Sequence, residues 1–360
     1  MTNPATGHQP SRLDRIERGA FAALLAMPPA LTKLAAGKPH VVDGQTLDPQ
    51  IQVGLRILSK IAGPELDELP IDKARAVLEQ ESWLFGGEPA EVASSRDLLI
   101  PGPAGDIPAR LHLPITAGGA PADAPLPLLI WFHGGGWVLG SIESHEPVAR
   151  AFCHHAQVAV LNVGYRLAPE HPFPAAFEDA EAAFLWAHEH ATELGIDADR
   201  IALGGDSAGG NLSAAVALAR TRAGGPKPAF QLLIVPAVDM VGHTRSTDLF
   251  ATGYFLTEAN MEWYKNHYLP PGADRSDPRA SPLLAEDLTG VPPAYVAVAG
   301  FDPLRDEGEA YAVRLRDAGV PVTLRRHRSA VHPFINILVS RMGQAAFQAA
   351  VGALRVGLSV

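Results

Sequence analysis

Cysteine is nearly absent. The 360-residue chain has one, Cys153, which excludes an internal disulfide and any multi-cysteine zinc site and fits a reducing compartment such as the cytoplasm. Basic residues are also scarce. There are 29 Lys and Arg against 39 Asp and Glu, a formal net charge of -10, and no long basic run. Nucleic-acid binding, which needs a basic face, is therefore not expected. Nor is a membrane span. The most apolar N-terminal piece, Gly19–Leu31 ("GAFAALLAMPPAL"), is shorter than the ~20 residues a transmembrane helix requires. It also makes a poor signal peptide: Asp14 and Glu17 sit among the arginines and no small-x-small site follows. It reads as the end of an amphipathic helix.

What the chain does have is apolar content, 47% of its residues, enough for one large or two modest domains. Residues 1–10 read as disordered. From Ser11 to about Ser82 the pattern is helical. Asp48-Pro49 is a good helix start, and Ile51, Leu55, Leu58 and Ile61 follow on one face. A second helix follows Leu69-Pro70, with Ala74, Val77 and Leu78 on its stripe. These segments have no strand partners nearby.

From about Asp97 the texture changes. "DLLIPGP" and "ARLHLP" read as antiparallel strands. Leu126–Phe132, Val158–Val163, Ile201–Gly204, Leu232–Ala237, Tyr295–Ala299 and Val322–Arg326 are short apolar runs of the buried-parallel kind. Helical patterns separate them: Pro174–Leu194, Ala208–Arg222, Pro303–Ala318 and Phe334 to the C-terminus. The series predicts an α/β fold with a mostly parallel sheet and helices on both faces. The expected division is a helical extension and cap over residues 1–95 and a catalytic domain over 96–360. An aromatic insert, 239–290, carries Phe250, Tyr254, Phe255, Trp263, Tyr264 and Tyr268 and is expected to wall a pocket.

Gly205-Asp206-Ser207-Ala208-Gly209 matches G-x-S-x-G between a strand and a helix, the context that motif needs. The turn is tight, and Gly205 and Gly209 keep Cβ atoms away from it. Ser207 would otherwise be a mere helix cap; with the glycines in register it reads as a nucleophile. Such a hydroxyl needs a base, and in this arrangement the partners follow in the order serine, acid, histidine. Asp302 is the first carboxylate beyond a later strand and is favoured over Asp306, one helical turn further on. His332 lies in the loop after the last strand, and His327 at that strand's end; His332 is the better placed to reach Ser207. His154-His155 and the His188/His190 pair lack companion ligands, so no metal site is expected.

"HGGG", His133–Gly136, closes an apolar strand. Bare backbone amides can approach an acyl oxygen that becomes anionic, and each donor is worth about 3–4 kcal/mol. Gly134 and Gly135 are the expected donors, with Gly136 keeping the loop compact and Ala208 adding the amide at the helix start. No G-x-G-x-x-G or Walker pattern competes, since Gly37-Lys38 lacks the rest of it.

These pieces together resemble the hormone-sensitive-lipase family of α/β-hydrolase carboxylesterases: "HGGGW" (133–137), "YRLAPEHPFPAA" (165–176), "GDSAGGNL" (205–212), "DPLRDEG" (302–308) and "HPF" (332–334), with "LDPQIQ" (47–52) similar to the family's cap helix. The resemblance covers about residues 47–360. It implies an α/β-hydrolase fold, a Ser207–Asp302–His332 triad, and an oxyanion hole of Gly134, Gly135 and Ala208. It further implies that His133 braces the glycine loop, that Glu170 is a structural carboxylate, and that short to medium acyl esters are cleaved without a cofactor. Gly164 and Pro333 depart from the family's usual residues. Amide or N-acetyl hydrolysis uses the same residues and stays open as an alternative. A non-catalytic receptor on this scaffold is disfavoured because all three triad residues are present. Residues 1–46 extend beyond the family's usual start and either enlarge the cap or pack on a partner, which leaves a homo-oligomer open.

Overall fold

The computed structural model describes residues 18–19, 27–61, 63–115 and 124–360. The expected disorder of residues 1–10, most of the Gly19–Leu31 piece and the start of the helix expected from Ser11 lie outside the described residues.

An eight-stranded sheet organises the chain. Its strands are β3 (Ser94–Gly102), β4 (Gly105–Leu113), β5 (Leu126–Phe132), β6 (Ala159–Val163), β7 (Ile196–Asp206), β8 (Phe230–Ile234), β9 (Ala294–Phe301) and β10 (Val322–Val331), in the spatial order β10-β9-β8-β7-β5-β6-β4-β3. Pairing is parallel from β6 to β10, while β4 runs antiparallel to both β3 and β6. The central strands bury both faces. In β5, Leu129 and Trp131 join a cluster with Phe152 of helix α4 (Glu146–Ala156) and Phe347 and Leu354 of helix α11 (Arg341–Gly357). Leu128, Ile130 and Phe132 point the other way, into a cluster with Phe184 of helix α5 (Ala175–Glu189) and Leu212 of helix α7 (Ala208–Ala223). That alternation explains why the strand reads as a continuous apolar run.

The N-terminal part has helices α1 (Pro29–Ala36), α2 (Pro49–Ile61) and α3 (Ile71–Phe85). Asp48 caps α2: its Oδ1 accepts from the Gln50 amide at 2.8 Å and the Ile51 amide at 3.3 Å. Leu47, Ile51 and Phe85 are buried in the same cluster as the sheet residues, so α2 and α3 share the core of the sheet. One departure from the helical expectation is a hairpin of β1 (Val41–Val42) and β2 (Gln45–Thr46). Its turn is Asp43-Gly44, both at positive φ (52° and 67°), the chemistry a two-residue hairpin demands.

Other boundaries differ as well; the strand expected over Leu232–Ala237 runs Phe230–Ile234. The strand expected over Ile201–Gly204 is longer, Ile196–Asp206. The strand expected to stop at Arg326 continues to Val331, which places His327 inside it, paired with Ala299. The positive run Arg325, Arg326 and Arg328 obscured how far this edge strand continues; its arginines are exposed. The last helix begins at Arg341 rather than Phe334, because Ser340 caps it by accepting from the Gly343 amide at 2.9 Å.

Between β8 and β9 the insert forms helix α8 (Arg245–Leu249) and helix α9 (Glu258–Tyr268), each with a threonine capping box, at Thr244 and Thr257. Phe250 and Tyr268 are fully buried. Among the described residues no helix is long and apolar enough to cross a membrane.

Candidate active site

Sheet register brings the expected groups to one edge. Phe132 at the end of β5 pairs with Gly205 near the end of β7. The loops leaving these neighbours, His133–Gly136 and Asp206–Ala208, are thereby side by side. On β9 and β10, separated from β7 by β8, Phe301 pairs with Val331, and the residues immediately beyond them are Asp302 and His332. Ligand sites of parallel sheets lie at this carboxyl edge.

Ser207 bridges β7 and α7 at φ 55°, ψ -115°, a region that costs a non-glycine residue ~1–3 kcal/mol. The strain is held by packing. The Ser207 amide donates to Ile234 O at 2.9 Å, and its carbonyl accepts from Asn211 and Ala237. A Cβ on Gly205 would press on Phe132 O and Gly209 C, and one on Gly209 would overlap the Phe132 carbonyl.

His332 is buried, and its Nδ1 lies 2.9 Å from Asp302 Oδ2. The other Asp302 oxygen accepts from the Leu304 amide at 2.9 Å, which fixes the carboxylate on a fully buried position. Asp306 faces away: it accepts from the Ser246 amide at 2.9 Å and pairs with Arg305 Nε at 2.7 Å. His327 packs at 4.9 Å from the Phe334 ring, and burial pushes it down to about 4.

The glycine loop differs in one respect from the sequence expectation. The Gly134 amide is already engaged. Asp206 Oδ1 and His145 Nε2 both lie 3.2 Å from it. Ser144 Oγ donates to Ser141 O and so accepts from His145 Nδ1–H at 2.9 Å. A neutral His145 then presents Nε2 as an acceptor and a charged one donates to Asp206; in both cases the Gly134 N–H has a partner. Gly134 is therefore a support, not an oxyanion donor. Gly135 and Gly136 follow at φ 112° and 60°, conformations that favour glycine. A Cβ on Gly136 would enter the Tyr264 ring.

Asp206 is the organiser of this edge. Besides Gly134 and His145 it accepts from Asn336 Nδ2 at 2.9 Å. Burial works against its charge, yet His145, Asn336 and His332 outweigh burial and hold the carboxyl below its usual range. His133 is fully buried and is pushed down to about 3 by desolvation and by His145. Its Nδ1 contacts Gly134 O at 2.8 Å and its ring stacks on Tyr165 at 4.2 Å, whose hydroxyl donates to His133 O at 2.7 Å. Glu170 makes a two-pronged pair with Arg75 of α3 at 2.9 and 2.7 Å, and that pair holds its carboxyl low. The same guanidinium donates to Val138 O and Ala168 O.

Sequence reading gave no part to His145, Asn336 or Arg75. The only local signal was Asp206 itself, a charged residue between glycines on a buried turn, which had to find partners. Tyr165 stood in a quoted motif without a role.

Ser207 and Gly136 open on a small cavity walled also by Trp137, Met240, Tyr264 and Leu304. Two aromatics of the insert lie beside the glycine loop: Tyr264 packs over Gly136, and Tyr268 stacks on Trp137 at 4.4 Å. Among the described residues no group of three or more His, Cys, Asp or Glu could hold a metal ion.

A serine on a strained strand-to-helix turn, beside a glycine loop and a buried Asp–His pair at the edge of a mostly parallel sheet, defines an α/β-hydrolase architecture. The chain belongs to the α/β-hydrolase fold family, whose sequence profile matches residues 129–336. It is 48% identical to the carboxylic ester hydrolase LipN of Mycobacterium tuberculosis over 92% of this chain and 88% of that protein. It is 37% identical to an arylesterase of Saccharolobus solfataricus over 80% and 92%. Among solved structures, an ester hydrolase from the Lake Arreo metagenome superposes with a TM-score of 0.84 at 40% identity, covering 87% of this chain and 100% of that one.

Proposed function

We propose that the protein is a serine carboxylic ester hydrolase. Ser207 attacks the ester carbonyl, and His332 takes the hydroxyl proton and returns it to the leaving alcohol. Asp302 holds the imidazole in the tautomer that leaves Nε2 free to accept, and stabilises its charged form. The oxyanion is met by the amides of Gly135, Gly136 and Ala208; the last is the first residue of α7, whose N–H has no partner within the helix. Water then releases the acyl group by the same route. No step calls for a cofactor. The observation that carries this reading is the 2.9 Å Asp302–His332 contact one residue beyond two paired strands, at the edge where Ser207 lines a cavity. The relatives' names support the reaction class.

The bounded cavity favours short to medium acyl chains over long ones, and the helices before Ser94, with the 239–290 insert, act as its cover. The buried, apolar setting of Cys153 suits a cytoplasmic protein. A p-nitrophenyl ester series tests the reading: kcat/KM is higher for the butyrate than for the palmitate, and a fluorophosphonate probe labels Ser207. Turnover that survives Ser207→Ala refutes it.

A further inference from the structure

The cavity beside Ser207 is not purely apolar. Lys265 of α9 and Glu307 of helix α10 (Arg305–Asp317) both line it, together with Asp239. Lys265 is 9% exposed and Glu307 3%. Burying charged chains in an apolar wall is expensive unless something is gained by it. Part of each has a structural use. Lys265 Nζ is 3.0 Å from Glu262 Oε1, and Glu262 is half exposed. Glu307 Oε1 accepts from the Val238 amide at 2.7 Å and the Asp239 amide at 3.3 Å. An ammonium has three N–H donors and a carboxyl two oxygens, so both groups retain hydrogen-bonding capacity at the cavity wall.

The cavity's place in the reaction follows from its walls. It includes Ser207 and Gly136 but not His332. The leaving alcohol must lie within reach of the group that protonates it, so the side away from His332 receives the acyl chain. Resting on the esterase reading, we propose that Lys265 is a specificity residue that selects acyl chains carrying a neutral oxygen acceptor, an ether, ketone or hydroxyl, over plain hydrocarbon chains. A carboxylate-bearing chain fits less well, because Glu262 and Asp239 offset the single ammonium. Burial pushes the Glu307 carboxyl up to about 8, with Asp239 adding to the rise and Lys265 opposing it, which favours the protonated form, a second donor instead of a repelling charge.

The test uses matched p-nitrophenyl esters: 3-methoxypropanoate against pentanoate, and 4-methoxybutanoate against hexanoate. Each kcat/KM is divided by that ester's rate with hydroxide. Wild-type protein shows a ratio above one for at least one pair, and Lys265→Met lowers that ratio by roughly tenfold or more, the loss a hydrogen bond to a charged group carries. Lys265→Gln, which keeps a donor, recovers part of it. A wild-type ratio at or below one for both pairs overturns the proposal, as does a ratio that Lys265→Met leaves unchanged; the wild-type comparison decides even if the variants fail to fold. Turnover of all four esters without that selectivity removes only this inference. No turnover of any, with Ser207→Ala indistinguishable from wild type, removes the esterase reading and this inference with it.

Discussion

The Gly134 amide donates to the carboxylate of Asp206, 72 residues later, at 3.2 Å. The residue next to Ser207 in sequence thus ties down the first glycine of the loop opposite, and the turn that presents the serine also sets the position of Gly135 and Gly136. Nucleophile and oxyanion loop are one hydrogen-bonded unit.

Asp206→Ala should damage both stability and rate. It removes the acceptor shared by the Gly134 amide, the Asn336 side chain and a charged His145, leaving the loop amide only His145 Nε2, and a buried polar group that loses its partner costs ~1–3 kcal/mol. Guanidinium unfolding should show a loss of several kcal/mol. In conditions where the variant is folded, kcat should fall on the order of 10², the cost of a misplaced oxyanion donor, while KM changes little. Wild-type kcat in a folded Asp206→Ala would disprove the coupling.

Ser207→Ala should lower kcat on the order of 10⁶. A stability comparison adds a test of strain. Alanine keeps a Cβ at φ 55°, whereas glycine relieves it. Ser207→Gly should therefore unfold at a denaturant concentration no lower than Ser207→Ala, the reverse of the usual order inside regular structure. A clearly less stable glycine variant would mean the elbow carries little strain.

Glu307 gives a pH dependence with a definite sign. Its carboxyl rises from the ordinary 4.5 to about 8 on folding, chiefly through burial. Between those values the native state holds a proton that the unfolded state has lost, so this contribution is fully present below about 4.5 and disappears as pH rises through 8. Glu307→Gln keeps the shape and the acceptor for the Val238 amide but cannot ionise. Relative to wild type, it should gain stability between pH 5 and pH 8 in paired denaturant titrations. A constant difference would show that Glu307 ionises normally.

Arg75 and Glu170 separate support from catalysis. Arg75→Met removes donors to Val138 O, Ala168 O and Glu170 and should cost ~1–3 kcal/mol. Glu170→Gln weakens only the half-exposed ion pair, so thermal melts should move by less, with kcat at the wild-type level. A large kcat loss in folded Glu170→Gln would make that carboxylate part of the chemistry.

The sequence alone determined the α/β class, the serine elbow and the candidates Asp302 and His332, because each rests on local physics. Strands buried on both faces must be continuously apolar, a tight turn must have glycine beside its serine, and the groups needed for acyl transfer come in few kinds. The hairpin at Asp43-Gly44 was equally local and was legible in principle from its turn residues. The tertiary structure decided what depends on partners distant in the chain. Whether the Gly134 amide is free depends on a carboxylate 72 residues away and on the imidazole of His145 in the loop that follows. Whether Lys265 faces solvent or the cavity beside Ser207 depends on how the insert folds back over the glycine loop. Hydrogen bonds and burial are made between elements, and no spacing along one segment records which amide has already been claimed.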